Sequence, residues 1–119
     1  MKIPLIINRY KQAWEKHDLK LLRGIFTENA IYIEKADVVF RGIDEIVKYW
    51  EINSRKQEKV SFTPVSVAKI DRGWDIIWEA KFFRKDLSRW LLLRGEMKII
   101  LRGRKICHFS EQFTKKFLT

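Results

Sequence analysis

The chain has 119 residues and is 46% apolar, enough for one compact core, so a single domain over 1–119 is expected. Twenty-five Lys and Arg against fifteen Asp and Glu give +10, but the basic residues are interleaved with Glu along the chain and form no block of the kind a nucleic-acid footprint needs. Cys107 is the single cysteine, which excludes an intrachain disulfide and leads us to expect a cytoplasmic setting, and no apolar run approaches a signal-peptide core or a membrane span.

The first element is a helix. Pro4 suits a first helical turn, and Ile6, Ile7, Tyr10, Ala13 and Trp14 follow at spacings of three and four, which places them on one face. After a short break that carries His17, Asp18 can cap a second helix with Leu19, Leu22, Ile25 and Phe26 at helical spacing, ended by Thr27, Glu28 and Asn29. The stretch 30–34 is short and rich in β-branched and aromatic residues, so a strand is expected there. Gly42 then marks the turn into a third helix carrying Ile43, Ile46, Val47 and Trp50.

From Val60 onward the hydrophobic period changes to two. Strands are expected at 60–70, 74–83, 89–101 and 105–113, with hairpin turns at 71–73 and 102–104. Three helices followed by an antiparallel meander imply an α+β fold, in which helices bury one face of a curved sheet and leave a conical hollow.

Short motifs recur through this pattern: Tyr10-Lys-Gln-Ala-Trp14, His17-Asp18-Leu19, Phe26-Thr-Glu-Asn-Ala30, Arg41-Gly42-Ile43 and Tyr49-Trp50, then Trp78-Glu79, Arg94-Gly95 and Gly103-Arg104-Lys105-Ile106. Their order and spacing resemble the SnoaL-like branch of the nuclear transport factor two-like superfamily over nearly the whole chain. That resemblance implies a cystatin-like cone with one deep pocket. The superfamily includes isomerases, cyclases, dehydratases and transport adaptors, so the resemblance bears on fold more than on activity.

The sequence is also similar to ketosteroid isomerases. The resemblance implies that Tyr10 stands at the oxyanion-hole tyrosine, Glu34 at the general base and Glu96 at the protonated oxyanion-hole acid. Such a trio lets one carboxylate move a proton while two hydroxyl-type donors stabilise an enolate in a dry pocket. Glu replaces Asp at both carboxyl positions here, and Lys35 stands where the isomerases have proline. Strand alternation places Glu96 with Trp90, Leu92, Arg94 and Lys98, opposite the apolar face of Leu91, Leu93, Met97, Ile99 and Leu101. A bulge at Gly95 would turn it inward.

Trp14, Trp50, Trp78, Phe109 and Phe113 are candidate pocket walls. Glu111, between the two phenylalanines, is either a pocket carboxyl group with a raised pKa or a rim residue paired with Lys or Arg, the rim being the default expectation. His108 is expected on the outer sheet face. Two histidines and one cysteine without ligand spacing lead us to expect no metal, and the absence of a phosphate loop or nucleophile elbow leads us to expect no cofactor.

The leading functional reading is a small-ligand pocket protein, an isomerase, cyclase or dehydratase that moves protons on an apolar carbonyl compound, with Glu34 as base. The alternative is a non-catalytic ligand-binding or dimerising module, in which the outer sheet face, with Trp90, Leu92, Trp74 and Ile76, pairs two copies. Nucleic acid is not an expected partner.

Overall fold

The computed structural model describes residues 2–118. Helix α1 (Leu5–Glu15) starts at Pro4, whose carbonyl accepts from the Ile7 and Asn8 amides at 3.0 and 3.2 Å. Its spacing buries Ile6, Ile7, Tyr10, Ala13 and Trp14, and large side chains of this kind stabilise the fold by roughly 1.5 to 3 kcal/mol each when fully buried. Helix α2 (Leu19–Ile25) is capped by Asp18, whose Oδ1 accepts from the Leu21 amide at 2.9 Å.

Strand β1 (Phe26–Glu34) follows without a loop, so Thr27, Glu28 and Asn29, expected to end the helix, lie in the strand. Phe26 takes extended backbone and pairs with Ile106, and an irregularity between Phe26 and Ile31 carries the polar residues outside the regular ladder. Strand β2 (Val38–Arg41), not foreseen from the sequence, returns antiparallel to β1. At Gly42 the backbone has φ 84°, a conformation natural to glycine, and its amide donates to the Ala30 carbonyl at 2.8 Å. This sharp turn launches helix α3 (Ile43–Ser54), which buries Ile43, Ile46 and Trp50.

The meander comprises β3 (Gln57–Ile70), β4 (Gly73–Arg84), β5 (Arg89–Arg102) and β6 (Lys105–Leu118), and the sheet order is β2-β1-β6-β5-β4-β3. The sheet is therefore mixed rather than wholly antiparallel, because β1 joins β6 in parallel after the chain has passed through α3 and four other strands, β2 to β5. That pairing sets Glu34 beside Glu111.

One face of the curled sheet packs against the helices. It includes Ile76, Trp78, Ala80 and Phe82 from β4 and Leu91, Leu93, Met97 and Ile99 from β5, all buried. Ile76 and Trp74 were expected on the outer face; Ile76 is instead fully buried and Trp74 packs against the core, because the two-residue period carries both to the same side as Trp78. The outer face of these strands presents Ile77, Lys81, Trp90, Leu92 and Arg94, with the Lys81 ammonium 5.0 Å from the Trp90 ring and Arg94 Nε 2.8 Å from Glu79.

Candidate functional site

A cavity of about 180 Å³ lies between the helices and the inner sheet face. Glu34, the last residue of β1, and Glu111 of β6 are register partners on parallel strands, and both line it. Side chains at matched positions of neighbouring strands share a face, so the topology itself brings two carboxyl groups together. The Lys35 amide donates to the Glu111 carbonyl at 2.9 Å and holds the strand ends in that register.

Three phenols surround the pair. Tyr32, two residues before Glu34 and therefore on the same face, donates its hydroxyl to Glu111 Oε2 at 3.2 Å. Tyr49 of α3 donates to Glu34 Oε2. Tyr10 of α1 is the third, fully enclosed beside the Tyr32 hydroxyl.

Burial pushes the Glu111 carboxyl up to about 8, the negative charge of Glu34 adds to that, and the Tyr32 hydrogen bond and Lys35 pull it part of the way back. Near neutral pH Glu111 thus holds its proton. Burial likewise raises all three phenols, with the Glu111 charge next in effect at Tyr10 and Tyr32 and the Glu34 hydrogen bond next at Tyr49. They remain protonated hydrogen-bond donors.

The structure brings Tyr10, Glu34 and Glu111 into one cavity with Trp14, Trp50, Trp78 and Phe113. Glu111 is 7% exposed and, among the described residues, has no Lys or Arg in an ion pair with it, so the rim placement is corrected. Phe109 is also corrected. It is fully buried behind the cavity, its ring stacked on Tyr32 at 4.3 Å and on Tyr10 at 5.6 Å, so it backs two phenols instead of forming a wall.

Glu96 lies outside the cavity. The ladder runs without a break from Trp78 paired with Gly95 to Ile77 paired with Glu96, so no bulge turns Glu96 inward. Gly95 serves a different purpose: a Cβ there would sit 2.4 Å from the Gln112 carbonyl oxygen, 2.7 Å from Phe113 Cβ and 3.0 Å from Trp78 Cζ2. Glycine lets the Trp78 ring and the β6 backbone close over the strand. On the outer face Glu96 neighbours Asp75, whose carboxyl group raises the Glu96 pKa.

Several lining residues were not foreseen as such: Tyr32, Tyr49, His17, Gln57, Arg84 and Lys115. Alternation from Glu34 could have found Tyr32, and alternation from Glu111 and Phe113 could have found Lys115. Gln57 precedes the expected start of its strand. Its side-chain oxygen accepts from Trp14 Nε1 at 2.8 Å and its carbonyl lies 2.9 Å from His17 Nε2, so it ties α1 and the following turn to the sheet. The indole nitrogens of Trp50 and Trp78 are buried without a partner. The cavity is thus mixed in polarity, although the ligand expected was an apolar carbonyl compound. Among the described residues no three His, Cys, Asp or Glu side chains are grouped as metal ligands, and no helix is long and apolar enough to cross a membrane.

Three helices on a curled mixed sheet, enclosing one aromatic cavity, define the cone fold of SnoaL-like, nuclear transport factor two-like proteins. No family model matches the chain and no curated protein matches its sequence. Solved structures do. A protein of ketosteroid isomerase-like fold from Catenulispora acidiphila, in complex with trimethylamine, is 16% identical with a TM-score of 0.83, covering 92% of this chain and 85% of its own. A proposed isomerase from Bacillus subtilis is 13% identical with a TM-score of 0.83, covering 92% and 84%. A proposed SnoaL-like polyketide cyclase from Shewanella putrefaciens is 14% identical with a TM-score of 0.79, covering 94% and 91%.

Proposed function

We propose that the protein is a cofactor-independent proton-transfer enzyme acting on a small carbonyl compound. The observation that carries this reading is the Glu34 and Glu111 pair, two carboxyl groups side by side in one aromatic cavity, with Glu111 pushed up to about 8 by burial. In the proposed reaction Glu34 takes a proton from the carbon next to the carbonyl. The C–H electron pair becomes the C=C bond of an enolate, and the charge that develops on oxygen is met by the Glu111 acid or the Tyr10 phenol. Glu34 then returns the proton to the same carbon or to a conjugated one, which gives exchange or isomerisation, and attack of the enolate carbon within one molecule would give cyclisation. Tyr49 occupies one oxygen of Glu34 and aims the other.

The test is proton exchange at the α-carbon of 2-tetralone and acetophenone in D2O, followed by NMR. The native protein should accelerate exchange, and Glu34→Gln should lose at least about a hundredfold of that acceleration while melting normally, within the range that positioned bases contribute. Exchange no faster than with an equal concentration of free glutamate overturns the reading.

We also propose that the outer sheet face pairs two copies in a cytoplasmic protein. Ile77 is 42% exposed there, with Trp90 and Leu92 half-buried nearby, and Cys107 is free. Sedimentation at micromolar concentration should give the mass of a dimer, and a monomer alone would remove this pairing.

A further inference from the structure

The cavity is electrically polarised along its length. On β6 the inward positions run Glu111, Phe113, Lys115, and on β4 the inward row that starts at Trp78 ends at Arg84. Glu111 and Lys115 are four residues apart on one strand, about 13 Å between backbones at the usual rise. One end therefore holds two carboxyl groups and three phenols, and the other holds a guanidinium and an ammonium, with indole and phenyl rings between.

Arg84 is fixed by Asp86, which takes Nε at 2.8 Å and Nη2 at 2.7 Å and leaves Nη1 as the unoccupied edge of the fork among the described residues. Lys115 has no ion-pair partner among the described residues. The unpartnered buried side-chain groups of the cavity wall, Trp50 Nε1 and Trp78 Nε1, are both donors as well. A buried donor left unpaired costs stability, and cations at a cavity mouth draw anions inward. The end of the cavity away from the carboxyl pair thus carries two cations, Lys115 without an ion-pair partner among the described residues and Arg84 with Nη1 free, and an anionic group fits there.

We infer that the ligand is an anionic carbonyl compound, an aromatic or alicyclic keto acid whose carboxylate sits between Lys115 and Arg84 while its carbonyl reaches Glu34 and Glu111. The inference rests on the proton-transfer reading for the carbonyl end only. The carboxylate end stands on Lys115 and Arg84, and it names a substrate feature that the fold does not imply.

The probes are 4-(4-acetylphenyl)butanoate and its methyl ester, which share a ring and an exchangeable acetyl group and differ in charge. Trp14, Trp50 and Trp78 line the cavity, so quenching of intrinsic fluorescence reports binding. The acid should bind about tenfold or more tightly than the ester, a difference of about 1.4 kcal/mol. Lys115→Gln should shrink that preference, and Lys115→Gln with Arg84→Gln should abolish it. Equal affinity for acid and ester, retention of the preference by the double variant, or no quenching by either compound would overturn the inference. Acetyl exchange in D2O separates the two proposals. Tight binding of the acid without exchange leaves the anion site standing and removes the enzyme reading, whereas equal exchange of acid and ester does the reverse.

Discussion

Glu34 and Glu111 are partners in register across the parallel pair β1 and β6, and each accepts a phenol hydrogen bond, Glu34 from Tyr49 and Glu111 from Tyr32. Two carboxyl groups this close cannot both ionise cheaply, and the more deeply buried one keeps the proton. Burial thus sets Glu111 apart from a chemically similar neighbour through its surroundings alone.

The first prediction is a pH dependence of stability. Glu111 titrates at about 8 in the folded protein and near the ordinary carboxyl range of about 4.3 when unfolded. Between those values the folded state holds a proton that the unfolded state has released. Stability is therefore complete below the unfolded pKa and is lost as pH rises through the folded one. Urea denaturation should show stability falling between pH 5 and pH 9, by up to about 1.4 kcal/mol per unit. Glu111→Gln cannot ionise and should flatten that profile; an unchanged slope in the variant would assign the titration elsewhere.

Glu96 supplies a sharp contrast. It is exposed on the outer face beside Asp75, far from the carboxyl pair in topology because strand alternation separates the two sheet faces. Glu96→Gln should leave α-proton exchange and ligand quenching at native levels, where Glu34→Gln abolishes exchange. A tenfold loss in Glu96→Gln would mean that the outer face communicates with the cavity.

Those two residues also mark how far the sequence can be read. The helical spacings of α1 and α3 and the two-residue period after Val60 were legible because burial imposes them locally. Glu34 and Tyr10 were legible as pocket residues by resemblance, and alternation alone placed Glu96 outside. The adjacency of Glu34 and Glu111 was not legible. It depends on a parallel pairing between strands at opposite ends of the chain, which no local periodicity encodes. The mistaken outward placement of Trp74 and Ile76 has a simpler origin, since counting by two from Trp78 puts both inside. For Glu111 the sequence leaves a pocket carboxyl and a rim residue both open, because what decides between them is Tyr32, Lys35 and Glu34, contributed by β1 and the turn that follows it.

Gly95→Ala tests the packing beneath the cavity floor. The added methyl would meet the Gln112 carbonyl, Phe113 and Trp78 within 3.0 Å, and the first of these is backbone that cannot swing aside. Overpacking of this kind costs about 1 to 3 kcal/mol. The urea midpoint should fall and the Trp78 ring should be displaced, which would also weaken ligand quenching. A native midpoint would show that β5 and β6 separate easily here.

Tyr49→Phe isolates the positioning of the base. Tyr49 reaches Glu34 from α3, and its ring stacks on Phe40 at 4.3 Å, so phenylalanine preserves the packing and removes only the hydroxyl. The variant should fold. Loss of a hydrogen bond to a charged group should cost about 1.5 to 3 kcal/mol of stability if nothing replaces it. Exchange should fall by about 10- to 100-fold, the size expected when an acting base loses its orientation rather than its chemistry. Glu34 would then be free to rotate, and the loss should appear in kcat more than in KM, because binding rests on the rings and the cationic end of the cavity. Native exchange in Tyr49→Phe would mean that Tyr49 supports the helix and not the base.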